Sequence, residues 1–178
     1  MKFSFTIPEP PRGKARPRHN KRTGATYTTP EDHWYEARIR QIGRDAYEEY
    51  LNANNLEIKM LDEPVGVDIV AYYQIPKSYS KRKTESCLQG QTLPTKKPDI
   101  DNIDKAALDG LNPDKRRNPY KRIYEIFSEG IYKDDALVVK NNLLKVYSTT
   151  PRLEITITWG SELQDYIINL LKQREENN

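Results

Sequence analysis

Lys97-Pro98-Asp99-Ile100-Asp101-Asn102-Ile103-Asp104-Lys105-Ala106-Ala107-Leu108-Asp109-Gly110-Leu111 is the stretch on which the fold turns. Pro98 disfavours helical backbone at Lys97, so the segment opens as extended chain. Ile103, Ala106, Ala107, Gly110 and Leu111 then recur at helical spacing and mark one buried face, which Asn112-Pro113 ends. Asp99 and Asp101 are expected on the extended lead, where side chains two apart point the same way. Lys105 follows one helical turn after Asp101 and lies beside it.

The remaining elements grow outward from this point. Upstream, Val65, Val67, Ile69, Ala71, Tyr73 and Ile75 alternate with Gly66, Asp68, Tyr72 and Gln74, the clearest strand in the chain. Thr29-Pro30-Glu31-Asp32 starts a helix, with Thr29 as cap and acids at the positive end of the dipole. Tyr35, Ile39, Ile42, Ala46 and Tyr50 form its apolar stripe, and it should end near 52–55. Phe3, Phe5 and Ile7 alternate as a first strand, closed by Pro8, Pro10 and Pro11. Pro76 to Pro94 is basic and reads as mobile or a short helix.

Downstream, Asp114 to Gly130 is charged and aromatic without periodicity, so 112–130 reads as an insertion. Leu137–Tyr147 and Leu153–Trp159 read as two strands of a hairpin around Ser148-Thr149-Thr150-Pro151. Ser161-Glu162-Leu163-Gln164 resembles a capping box, and Leu163, Tyr166, Ile167, Leu170 and Leu171 follow as the face of a helix over 161–174, to bury against the sheet or a second subunit. Glu175 to Asn178 read as a frayed tail. These elements predict one α+β domain spanning 1–178, in the order β-α-β-α-β-β-α, with a mixed sheet and packed helices.

A length of 178 residues suits a single domain with its own core. The mean hydropathy of −0.89 reflects a charged surface, because the apolar periodicities persist. Cys87 is the single cysteine, which excludes an internal disulfide, and there is no apolar signal core and no run near the ~20 apolar residues of a membrane span. The expected compartment is a reducing cytoplasm. His19, His33 and Cys87 are the only soft ligands, which disfavours structural zinc.

The net charge of +3 is unevenly distributed. Met1 to Pro30 holds seven Lys or Arg against Glu9 alone, and Pro76 to Lys97 holds six against Glu85 alone. The arm over 9–26 includes Lys14, Arg16, Arg18, Lys21 and Arg22; the second basic stretch includes Lys81, Arg82, Lys83 and Lys97. A solvated loop is the plain alternative for either. Basic flanks around an acidic centre attract a polyanion and leave room for divalent cations.

The acids follow the chemistry of Mg²⁺, which prefers hard oxygens, keeps several waters, and takes one or two carboxylates plus substrate phosphate. Asp99, Asp101 and one of Asp134/Asp135 meet that demand, and Lys105 is placed to stabilise a phosphoryl transition state. Each aspartate also has a structural reading as cap or turn residue. The combination with Lys105 and the basic arm carries the stronger inference.

Residues Lys97 to Leu111, followed by Tyr132-Lys133-Asp134-Asp135-Ala136-Leu137-Val138-Val139, resemble the RusA family of Holliday junction resolvases, common in phages and prophages. Ile7-Pro8, Lys14-Ala15-Arg16-Pro17-Arg18 and Tyr27-Thr28-Thr29-Pro30 resemble that family's amino-terminal pattern. The resemblance implies a homodimeric endonuclease using Mg²⁺, with Mn²⁺ as substitute, in bacterial or phage-infected cytosol. It implies paired nicks in four-way DNA junctions, leaving 5′-phosphate and 3′-hydroxyl ends, in recombination and repair. By position it implies Asp99, Asp101 and Asp135 as catalytic metal ligands, with Asp134 the lesser of its pair, and Lys105 as the essential lysine. Lys14, Arg16 and Arg18 are then junction contacts. The segment before Ile131 and the final helix are longer than in compact members. Other branched DNA such as flaps, or a DNA-binding accessory role without catalysis, are the competing expectations.

Overall fold

A computed structural model of the chain describes residues 1–16 and 18–176. Pro17, within the quoted amino-terminal pattern, and Asn177-Asn178 of the expected tail lie outside the described residues.

The strand at Val65–Gln74 (β4) lies inside a four-stranded sheet. Its neighbours are a parallel strand, Val138–Ser148 (β7), and an antiparallel strand, Arg152–Trp159 (β8), and β8 in turn pairs with the edge strand Lys2–Ile7 (β1). The register places Ile69 between Leu143 on one side and Ile155 on the other. The mixed sheet of an α+β fold is therefore as expected, but the hairpin expected around Ser148-Pro151 is not formed. β4 separates β7 from β8, so the connection from Ser148 to Arg152 passes over one intervening strand, a gap of about 10 Å that the chain can span. The cause lies in β4, where Val65, Val67, Ile69 and Ala71 are buried and fit an interior position in the sheet.

Two helices cover the apolar face. The first, Pro30–Ala53 (α1), is capped by Thr29, whose hydroxyl oxygen accepts the Asp32 amide at 3.3 Å and donates to the Asp32 carboxylate at 2.9 Å. Its fully buried line is Tyr35, Ile39, Gly43, Tyr47 and Leu51, with Ile42, Ala46 and Tyr50 only partly covered, so the face is rotated from the one expected. Gly43 sets that rotation, because a Cβ there would stand 2.9 Å from Phe5 Cζ. The second helix, Ile100–Leu111 (α3), packs on α1 where Gly110 meets Ile39. Ahead of α3, the second basic stretch forms a helix at Lys81–Leu88 (α2), capped by Ser80.

Two hairpins depart from the expected order, and the last helix runs past its expected end. The basic arm folds into a small hairpin, Arg18–His19 (β2) and Thr26–Tyr27 (β3), closed by Asn20, whose side-chain oxygen accepts the amides of Arg22 at 2.9 Å and Thr23 at 3.3 Å. The expected insertion is a second hairpin, Asp114–Arg117 (β5) and Tyr124–Ser128 (β6). Its lack of periodicity follows from having no buried face. The last helix, Ser161–Glu176 (α4), starts after Gly160 (φ 64°) with Ser161 already helical, and extends two residues past the expected Arg174. It buries Leu163 alone. No helix among the described residues is long and apolar enough to cross a membrane.

The close approach of α1 and α3 gives a direct test. A Cβ at Gly110 would lie 2.7 Å from both Cβ and Cγ2 of Ile39, and these atoms sit near the backbone and cannot swing aside. Gly110→Ala should therefore destabilise the fold by about 1–2 kcal/mol, overpacking outweighing the better helix propensity of alanine. Urea unfolding checks this; an unchanged or raised midpoint would contradict it.

Candidate active site at the amino-terminal end of α3

Asp99 occupies the cap position of α3, with extended backbone (φ −70°, ψ 155°), but its side chain accepts no capping hydrogen bond. Asp101 is not on the extended lead as expected. It lies in the first helical turn, because helical backbone begins at Ile100. Both carboxylates are exposed, and neither makes an ion pair or side-chain hydrogen bond among the described residues. Lys105, one turn beyond Asp101, is likewise exposed and unpaired. A cap aspartate normally satisfies a helix amide; here the acids keep their oxygens free at the end of the helix that favours negative charge.

Asp134 and Asp135 arrive on a different path. Leu61 bridges to Tyr132, with Leu61 N donating to Ile131 O at 2.8 Å and Lys133 N to Leu61 O at 3.0 Å. This fixes the segment just ahead of the pair. Asp134 caps the short 3-10 turn Asp135–Leu137 by accepting the Ala136 amide at 3.1 Å, and its other oxygen is 3.6 Å from Lys115 Nζ. The Ala136 amide is the main cause holding its carboxyl below the usual range, with Lys115 adding to it. Asp135 has no such cap to make.

Buried Tyr132 records how the acids gather. Its hydroxyl donates to Leu108 O at 3.2 Å. Burial drives its pKa upward most strongly, and the charges of Asp135, Asp109, Asp104 and Asp134 push it further. Asp135 thus shares a neighbourhood with the middle of α3, where Asn141 of β7 donates to both oxygens of Asp104 at 2.8 and 2.7 Å. Among the described residues, no three acidic, imidazole or thiol groups close into a ready cage for a metal ion. The donors are nevertheless of the right kind for Mg²⁺: hard, uncapped carboxylates, too few to strip the ion of water.

The basic strap lies against the same end of α3. Lys14 N donates to Asn102 O at 2.8 Å, and a Cβ at Gly13 would fall 2.6 Å from the Pro98 Cβ, so only glycine allows this contact. Beside it an open cleft of ≈ 690 Å³ brings Asp99 together with Arg16, Lys97 and Asn102. Lys14 behaves differently from the phosphate contact expected of it. Its side chain is 17% exposed, and its ammonium lies 2.7 Å from Glu36 Oε1 and hydrogen-bonds Asp109. Burial alone would lower its pKa, but the hydrogen bonds and charges of Asp109 and Glu36 together raise it. Lys14 braces the strap on α1 and α3.

The other predicted contacts remain exposed. Arg16, Arg18, Lys21 and Arg22 lie on the arm hairpin and its approach. Lys81, Arg82 and Lys83 form the first turn of α2, where no acid offsets the unfavourable helix dipole. Lys83 Nζ stacks 3.9 Å over the Tyr79 ring.

Sequence reasoning missed Lys145. From β7 it reaches under the turn before α3 and donates to Lys96 O and Pro98 O, both at 2.8 Å. It pairs in register with Ala71, and that in-facing position was the available signal, since a lysine on the core face of a strand needs polar partners. Lys145→Met should free the 96–99 turn, speed amide hydrogen exchange over the first turn of α3, and cost about 2 kcal/mol, as expected for charged hydrogen bonds. Unchanged exchange there would show that the turn holds without it.

The RusA endodeoxyribonuclease family model matches residues 8–118, which include the strap, α1, β4 and the whole of α3. A protein of Bacillus subtilis (strain 168), named as uncharacterized protein YqaN, is 38% identical over 96 residues, covering 53% of this chain and 56% of that relative. The chain therefore matches little more than half the length of that relative. With the family match covering most of the chain and including the acidic helix, this protein belongs to the RusA endodeoxyribonuclease family.

Proposed function

We propose that this chain is a Mg²⁺-dependent endonuclease that resolves four-way DNA junctions by paired nicks, leaving 5′-phosphate and 3′-hydroxyl ends, and serves recombination and repair in a bacterial or phage-infected cytoplasm. The observation that carries the reading is the start of α3, where uncapped Asp99 lines a cleft with Arg16 and Lys97 and exposed Asp101 follows in the first helical turn. Carboxylates exposed beside a phosphate-binding surface repel DNA unless a cation lies between them.

In this reading Asp99, Asp101 and Asp135 hold the ion, and Asp134 stays as a cap. Bound Mg²⁺, or Mn²⁺ in its place, would supply Lewis-acid polarisation of the scissile phosphate and lower the pKa of a water. Asp104, fixed by Asn141, adds negative charge on the same side. Lys105 sets its free ammonium against charge growing on the phosphate oxygens in the transition state. Arg16 and Lys97 position the backbone in the cleft; Arg18, Lys21, Arg22, Lys81, Arg82 and Lys83 extend the phosphate track.

A twofold dimer supplies two such centres with the symmetry of a four-way junction. Support comes from α4, where Tyr166, Ile168 and Leu171 are 44%, 48% and 53% exposed, and from Leu144 on the outer sheet face beside it, 52% exposed. This apolar surface suits a second copy of the chain.

Asp101→Asn should lower cutting of a synthetic four-way junction by more than about a hundredfold and leave the fold intact, with binding equal or tighter because a repelling charge is gone. EDTA should abolish cutting in the parent, and Ca²⁺ should support binding only. Cutting mainly at flaps or forks would move the substrate and keep the chemistry. Undiminished cutting by Asp101→Asn, or cutting in EDTA, would overturn the metal reading.

A further inference from the structure

The β5–β6 hairpin projects from the carboxy-terminal end of α3, beside Asp134. Its root is pinned on three sides. Arg40 of α1 donates to Asn112 O at 2.6 Å and Asp109 O at 3.2 Å; Arg44 donates to Gly130 O at 3.1 Å and pairs with Glu129 at 2.8 Å. At Gly130 the two legs touch: a Cβ would stand 2.6 Å from Asn112 C, and Ile131 N donates to Leu111 O at 2.9 Å. Lys115, near the root, also faces Asp134.

Beyond the root, nothing among the described residues covers the hairpin, which reaches about 15 Å from its base at the usual rise per strand residue. Tyr120, Tyr124 and Phe127 are 95%, 70% and 64% exposed. The tip is preformed rather than slack. Asn118 Oδ1 accepts the amides of Tyr120 at 3.0 Å and Lys121 at 3.1 Å, Asn118 N donates to Ile123 O at 2.8 Å, and Arg122 is held at φ 58°, a backbone region that costs a non-glycine residue. Three large rings are thus held mostly in water, and none of them joins the core.

Charge identifies what meets them. The hairpin carries Lys115, Arg116, Arg117, Lys121 and Arg122 against Asp114, Glu125 and Glu129. Asp114 and Glu125 are engaged by Arg116 at 3.0 Å and Lys121 at 2.9 Å. Arg117 and Arg122 make no ion pair among the described residues. Arg116 also covers the Phe127 ring at 3.3 Å, and Arg116, Arg117, Tyr120 and Phe127 wall a groove of ≈ 310 Å³. Free cations beside exposed rings are the surface that tracks a phosphate backbone while stacking unpaired bases.

We propose that the β5–β6 hairpin is a branch-point wedge: Tyr120 at its tip stacks on a base unpaired where DNA strands exchange, while Arg117 and Arg122 hold the flanking phosphates. The proposal rests on the branched-DNA reading above and deepens it by assigning the residues that tell a branch from continuous duplex.

The test uses the full chain in Ca²⁺ and a four-way junction with 2-aminopurine at the branch, beside a continuous duplex with the same label. The parent should raise the label's fluorescence at the branch and prefer the junction. Tyr120→Ala should lose the rise and about tenfold in junction affinity while duplex affinity stays unchanged. Tyr120→Phe should keep both, because stacking needs the ring and not the hydroxyl. A parent that raises no signal, a Tyr120→Ala variant that keeps it, a Tyr120→Phe variant that behaves like alanine, or equal losses on junction and duplex would each overturn the wedge. Dissociation of the protein into smaller species by Tyr120→Ala in sedimentation would overturn it in favour of a protein contact. The binding readouts need no catalysis, so a parent that unstacks the branch but never cuts in Mg²⁺ would sink the nuclease reading and leave the wedge standing.

Discussion

The burial of β4 constrains the placement of everything else. Val65, Val67, Ile69 and Ala71 are each 1% exposed or less and fit the interior of the sheet. Two strands must therefore flank it, and the chain supplies them as β7 and β8. Parallel pairing of β4 with β7 requires β7 to start at the same end as β4, which delivers Asp134 and Asp135 to the flank of α3. It also turns Asn141 and Lys145 toward α3, where one holds Asp104 and the other holds the turn before Asp99. The placement of Asp134 and Asp135 beside α3 is thus a product of strand order, which brings together segments about 30 residues apart that share no local structure.

Electrostatics then divides the charged residues into two groups. Some are consumed by the fold: Lys14 between Glu36 and Asp109, Arg40 and Arg44 on backbone carbonyls, Asp134 in its cap. Others make no ion pair among the described residues, Asp99, Asp101 and Lys105 on α3 and Arg117 and Arg122 on the hairpin among them. Surface charges left unpaired cost the fold little. Asp99, Asp101 and Lys105 lie on the first half of α3, and Arg117 and Arg122 lie on the hairpin that follows the other end of that helix.

Much of this was legible in the chain because its signals are local. Thr29-Pro30 capped the first helix as expected, alternation from Val65 marked β4, and Ile103 to Leu111 marked the buried face of α3. What the sequence hid depends on distant contacts. Nothing in Leu137–Trp159 reveals that β4 inserts between the two strands, since either pairing buries the same alternating side chains. The helical start at Ile100 overrode the extended geometry expected for Asp101. The β5–β6 hairpin escaped notice because it has no core face, and hydrophobic periodicity reports only burial. Lys14 looked like any other cation of the arm, and only the fold shows it enclosed by two acids.

The central claim is that Asp99, Asp101 and Asp135 form one divalent-cation site. Calorimetric titration of Mn²⁺ into the parent and into Asp99→Asn, Asp101→Asn and Asp135→Asn variants, with a four-way junction bound, tests it most directly. The account predicts DNA-dependent Mn²⁺ binding that each of the three substitutions weakens at least tenfold while Asp134→Asn leaves it nearly unchanged. Binding that survives the loss of Asp135, or that Asp134→Asn removes instead, would contradict it.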